Sequence, residues 1–144
     1  MPLHPLVVHL PIGLLIGNAL LTILYLWRGN SEIERAAYHC LWLGLLLGLP
    51  TIAAGVWDAV QYLVRVEQYP NALVWINGHA IAGAVVALVY WQAWQIRRRN
   101  PTVLDDTMRR RGYLAWVSAG VIFLFVSGWT GGHMVYELGI GPRP

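Results

Sequence analysis

Five side chains could do chemistry in this sequence: His4, His9, His79, His133 and Asp58. Neutral imidazole is the commonest metal ligand and also a proton carrier. A carboxylate beside a ligating imidazole commonly holds it in orientation. The histidines are scattered along the chain, so only a fold can bring them together. A fifth histidine, His39, stands apart from them. The single cysteine, Cys40, excludes an internal disulfide, a thiolate-bound iron–sulfur cluster and a c-type haem attachment within the chain. Beside His39 it reads as a packing residue.

The elements that must position these residues are membrane helices. Apolar residues make up 57% of the 144 and charged ones 12%, against about half and about a quarter in soluble domains. The excess falls into four blocks, at about 6–27, 36–62, 75–96 and 113–133. Each is close to the ~20 residues a helix needs to cross a hydrocarbon core. Period-two alternation is absent, which argues against a barrel. The expected fold is an all-α integral membrane protein, an up-down bundle of four transmembrane helices in a single domain over residues 1–144. Pro11 lies in the first turns of its block, where a proline costs least, and Pro50 predicts a kink in the second. Asn77 is a candidate cap for the third. The net charge of +3 is no nucleic-acid signal, because the arginines sit beside the apolar blocks. The first block has no basic segment before it and no cleavage site after it, so it is expected to remain as a span.

Arginine counts predict direction. Arg28 and Arg35 lie between the first two blocks, and Arg97, Arg98, Arg99, Arg109, Arg110 and Arg111 between the last two. Arg65 and Arg143 alone fall on the other side. Both termini are therefore expected on the non-cytoplasmic side of a bacterial inner membrane. Trp27, Trp57, Trp75, Trp94, Trp129 and Tyr136 lie near block ends, as an aromatic belt does. The arginine clusters also suit anionic headgroups.

Helix rise then gives depth. His9 lies about 5 Å and His79 about 6 Å in from the outer ends of their spans. Asp58 is roughly 33 Å along the second span, back at the outer surface. His133 ends the fourth, and His4 sits just above the layer. His39 is about 30 Å away on the cytoplasmic side. In an up-down bundle the first and third spans are diagonal, so His9 and His79 are expected to face each other and to ligate one b-type haem. His133 and His4 are candidates for a second haem, for proton transfer or for propionate contacts, and Asp58 for orienting a ligand. A transition-metal ion held by His9, His79 and His133 is the rival, and interfacial histidines that are simply wetted are the bland alternative. Gly13 with Gly17, and Gly44 with Gly48, fit close helix packing or room for a flat macrocycle.

The opening His4-Pro5-Leu6-Val7-Val8-His9-Leu10-Pro11-Ile12-Gly13 resembles the signature of a bacterial four-span membrane family, domain of unknown function 2231, with Leu10 where phenylalanine is usual. Gly55-Val56-Trp57-Asp58, Gly78-His79 and Gly131-Gly132-His133 are similar to its later segments. The resemblance spans the whole chain. It implies association with Rieske-type or cytochrome c-type redox domains and haem b, an argument by analogy.

The leading expectation is a membrane electron-transfer subunit carrying haem b near the non-cytoplasmic face, exchanging electrons with quinone or with an extracytoplasmic cytochrome or Rieske partner. It is not expected to be an enzyme on its own. Alternatives are a cofactor-free accessory subunit of a respiratory or photosynthetic complex and a small His/Asp metal-site protein.

Overall fold

The turn between the first two spans shows how the sequence sets the architecture. Gly29 adopts φ 66°, the left-handed conformation that ends a helix, and its amide donates to the Tyr25 carbonyl. Asn30 follows, and its side-chain oxygen accepts from the Glu32 amide at 2.8 Å as the next helix starts. Two residues thus reverse the chain and force the flanking helices to lie side by side.

The structure is a computed structural model and describes residues 3–63 and 72–140. These form α1 (His4–Val7), α2 (His9–Arg28), α3 (Ser31–Leu63), α4 (Ala72–Arg99) and α5 (Arg109–Tyr136). Val8, between α1 and α2, has helical angles, so the chain runs as one rod from His4 to Arg28. Four rods are long and apolar enough to cross a bilayer. No strand occurs among the described residues. The chain is an all-helical, multi-pass membrane protein.

Every rod outlasts its apolar block. The added residues include Arg28, Glu32, Glu34, Arg99 and Arg109. Arginine and glutamate are good helix formers whose long side chains reach water from a buried stem, so the helices do not stop where the hydrocarbon does. Two expectations are corrected. Asn77 lies inside α4, which already starts at Ala72, and caps nothing. His4 is not above the first span but in its first turn. Pro50 sits within a continuous α3. Arg65 and Arg143 lie outside the described residues.

The rods pair into two hairpins, α2 with α3 and α4 with α5, each packed more closely within itself than against the other. The hairpins are two copies of one packing scheme. The buried positions of α2 match buried positions of α4 at one constant offset: Pro11 with Val86, Leu15 with Tyr90, Asn18 with Ala93 and Thr22 with Arg97. Buried positions of α3 and α5 match in the same way, Ala37 with Tyr113, Leu41 with Val117 and Gly44 with Gly120. Leu15 packs into the notch at Gly44, as Tyr90 packs into the notch at Gly120.

Polar groups join the hairpins at the arginine-rich end. Asn18 is fully buried, and its Nδ2 donates to the Ala37 carbonyl at 2.9 Å and to the Tyr113 hydroxyl at 3.3 Å. Arg97, 5% exposed, pairs with Glu34 and donates to the Pro101 carbonyl. Tyr25 donates to Asp105. Asp106 accepts from the Met108 and Arg109 amides at 2.9 and 3.1 Å, serving the free N–H groups where α5 begins. Those bonds hold its carboxyl below the usual carboxylate range.

Candidate functional site: two imidazoles with matching seats

At the other end of the bundle, His4 projects from α1 onto α3. Its Nδ1 lies 2.9 Å from the Thr51 carbonyl. The ring rests on Gly55, where a Cβ would come within 3.0 Å of Nδ1. Its backbone is fixed as well. The Asp58 carboxylate accepts from the amides of Leu3 and His4, at 3.1 and 2.8 Å. An anion over the first amides of a helix is favourable in charge and in hydrogen bonding.

His79 repeats the arrangement between α4 and α5. Its Nδ1 lies 3.0 Å from the Ser127 carbonyl and 3.1 Å from Thr130 Oγ1. The Thr130 hydroxyl donates to that same carbonyl at 2.9 Å, which leaves its oxygen to accept from the imidazole. The ring rests on Gly131, where a Cβ would meet Cε1 at 3.1 Å. Both seats are therefore a carbonyl and, one turn later, a glycine. The reason is helix geometry. A residue's side chain covers the turn N-terminal to it, so a glycine at that place leaves the earlier carbonyl open to a neighbour's ring.

The seats fix chemistry as well as position. A carbonyl can only accept, so each Nδ1 carries a proton, and in the neutral form of such a ring the lone pair is on Nε2. Among the described residues, no hydrogen bond reaches either Nε2. The ring centres are 5.7 Å apart, with planes at 85°. Tying one imidazole nitrogen to a carbonyl while the other stays free is how proteins prepare a histidine for a metal.

The expected partner of His79 is His9, and the structure puts His4 in its place. His9 is exposed on the bundle surface. Five residues along one continuous helix are about 140° around its axis, so His4 and His9 cannot both face the interior. His133 lies in a separate aromatic stack, 4.0 Å from the Trp75 ring centre and 5.8 Å from that of Trp129. Asp58 orients His4 through its backbone amides, and not through contact with an imidazole as expected. His39 lies at the arginine-rich end, its Nδ1 2.7 Å from the Arg35 carbonyl. Among the described residues, no three His, Cys, Asp or Glu side chains gather as a metal would need, so the His9, His79 and His133 trio is not assembled.

The family model for DUF2231, described as predicted membrane proteins, matches residues 1–144. The chain belongs to this family. No curated protein and no solved structure matches it. Membership in the family named from the sequence is thus shown, and four apolar rods agree with the family's description. In this DUF2231 protein the motif supplies the seated His4, the exposed His9 and the buried Pro11. Sequence reasoning missed Thr51, Ser127 and Thr130. The signal was there, as a Ser or Thr one turn before a glycine, once at 51 and 55 and again at 127 and 131.

Proposed function

We propose that the chain is a membrane electron-transfer subunit that binds one b-type haem between His4 and His79. The observation that carries this reading is the matched pair of seats, which engages Nδ1 of each ring and leaves Nε2 of both outside those bonds on facing hairpins.

The residues present fit such a group. Two imidazole nitrogens about 2 Å from one metal put their ring centres roughly 6 Å apart, close to the 5.7 Å found. A haem iron needs only two ligands from the protein, whereas zinc takes three or four. The hairpins are joined less closely than each is within itself, so the seam between them is where a flat group enters with least loss of packing. When bound, haem supplies a one-electron carrier. The chain's own residues hold it. Thr51 and Ser127 fix the tautomers through their carbonyls, Gly55 and Gly131 set the ring positions, and Asp58 holds the α1 backbone. By the arginine distribution, this end of the bundle faces the non-cytoplasmic side of a bacterial inner membrane, where an extracytoplasmic cytochrome or Rieske protein can approach.

The direct edge contact between the rings also suits a small transition-metal ion, and metal analysis of the purified protein separates that reading. A reduced-minus-oxidised spectrum is the test. Wild type should show a b-type spectrum, His4→Ala and His79→Ala should abolish or alter it, and His9→Ala and His39→Ala should leave it. Protein without a Soret band, purified from cells supplied with haem, would overturn the proposal and favour a cofactor-free accessory subunit.

A further inference from the structure

The two hairpins are copies, so each surface of one has a counterpart on the other, and one pair of counterparts differs sharply. Along the outward side of α5, Gly128 and Gly132 stand one turn apart, and a Cβ built on either meets nothing within 4 Å. At the offset that relates the hairpins, the equivalent positions on α3 are Ile52 and Val56. On the facing α2 wall stands Ile16, where α4 has Trp91. The halves also meet more sparsely along α2 and α5 than along α3 and α4.

One hollow lies between α2 and α5, and a second continues from it along the surface of α5, the two sharing Trp129. The deeper one, about 290 Å³, is walled by Ile12, Ile16, Leu124, Phe125 and Gly128. The one nearer the histidine end, about 280 Å³, is walled by Gly132, His133, Tyr136 and Glu137. The counterparts of His133, Tyr136 and Glu137 are Trp57, Val60 and Gln61. The apolar groove therefore ends at the exposed Trp129 ring, which also packs against Trp75 and His133, beside a phenol and a carboxylate. The carboxylate repels a phosphate headgroup and accepts from a hydroxyl. Gly132 adjoins Gly131, on which the His79 ring rests.

We infer that this crevice is the docking site of an isoprenoid quinone or quinol, its ring on Trp129 beside His133 and Glu137 and its tail between α2 and α5. Choosing a redox carrier as occupant rests on the electron-transfer reading. The tail matches the apolar walls, and the flat, uncharged head finds donors for a quinone carbonyl in His133 and the Tyr136 hydroxyl and an acceptor for a quinol hydroxyl in Glu137. A phospholipid also matches the apolar walls, but it would set its phosphate beside the Glu137 carboxylate.

The test is quenching of tryptophan fluorescence by a ubiquinone with two isoprene units, in nanodiscs of fixed phospholipid composition. Wild type should show saturable quenching. Gly128→Leu fills the channel, and Ile16→Trp closes it from the opposite wall by copying Trp91. Each should weaken the apparent affinity about tenfold or more. Gly13→Leu, also at a glycine with open space around it, should leave affinity unchanged. Linear, non-saturating quenching that is equal in wild type and both filled variants would mean that acyl chains occupy the crevice, and would overturn the inference. The readout does not need haem. Saturable quenching without a Soret band would sink the haem reading alone, and a Soret band without saturable quenching would sink this one alone.

Discussion

The Tyr90 ring lies so close to Gly120 that a Cβ on the glycine would stand 2.6 Å from it. Tyr90 is fully buried, and its hydroxyl donates to the Leu15 carbonyl on the other hairpin at 3.4 Å. The ring has nowhere to turn. Gly120→Ala should therefore cost about 1–3 kcal/mol, the usual range for overpacking. Gly44→Ala meets Cγ and Cδ2 of Leu15, an aliphatic side chain that can turn more readily than a buried ring, and should cost less. Thermal unfolding of both variants in one detergent checks the order. Equal costs would mean that the tyrosine is not held as described.

Removing Arg97 should be worse than removing its whole pair. Arg97→Ala strands the Glu34 carboxylate, whose side chain is only 21% exposed, with an expected loss of about 3 kcal/mol, the low end for a broken buried pair. Arg97→Met with Glu34→Gln should recover part of that, because no unpaired charge remains. A double variant weaker than the sum of its singles would contradict the pairing.

Acid should loosen the start of α5. The Arg109 and Met108 amides hold the Asp106 carboxyl below its ordinary value. A carboxylate lowered in this way contributes stability above the unfolded value of about 3.9 and loses it as the pH falls through the folded value. Amide exchange at Met108 and Arg109 should therefore accelerate below about pH 4 in wild type. Asp106→Asn should remove that pH dependence. An unchanged acid response in the variant would assign it elsewhere.

The ring seats should be sensitive to a single methyl. Gly55→Ala and Gly131→Ala each place a Cβ within about 3 Å of an imidazole and should shift or weaken the spectrum of a bound haem. Gly48→Ala, where nothing lies within 4 Å, should leave it alone. Asp58→Asn keeps acceptor oxygen but loses charge, and should act through His4 only. Spectra of the four variants, compared with their melting temperatures, separate a displaced ring from a loosened fold.

A cytoplasm-dependent reporter fused after Arg110 should be active and one at the C-terminus inactive, as the arginine counts require. The reverse pattern would turn the molecule over.

The four spans were legible because each is a long apolar block with arginines at its ends, and lipid permits little besides helices for such blocks. Their ends were less legible, since a helix does not stop where hydrocarbon stops. The site was half legible. Depth along an axis follows from residue count, which put His79 and Asp58 at the correct end. Rotation about the axis depends on which neighbour packs where, which is why counting alone favours His9 for the place that His4 takes. Arg97 misleads in the same way. Its position in an arginine run reads as a loop signal, yet its side chain turns inward to Glu34.

The seats also order events in time. His4 finds its carbonyl and glycine on α3, at 51 and 55, whereas those of His79 are on α5, at 127 and 131. During synthesis the first imidazole can be seated while the second half of the chain is still being made. The second has no acceptor until the last helix has entered the membrane. Anything that bridges the two rings is therefore captured late, by a first half already folded and a second half closing upon it.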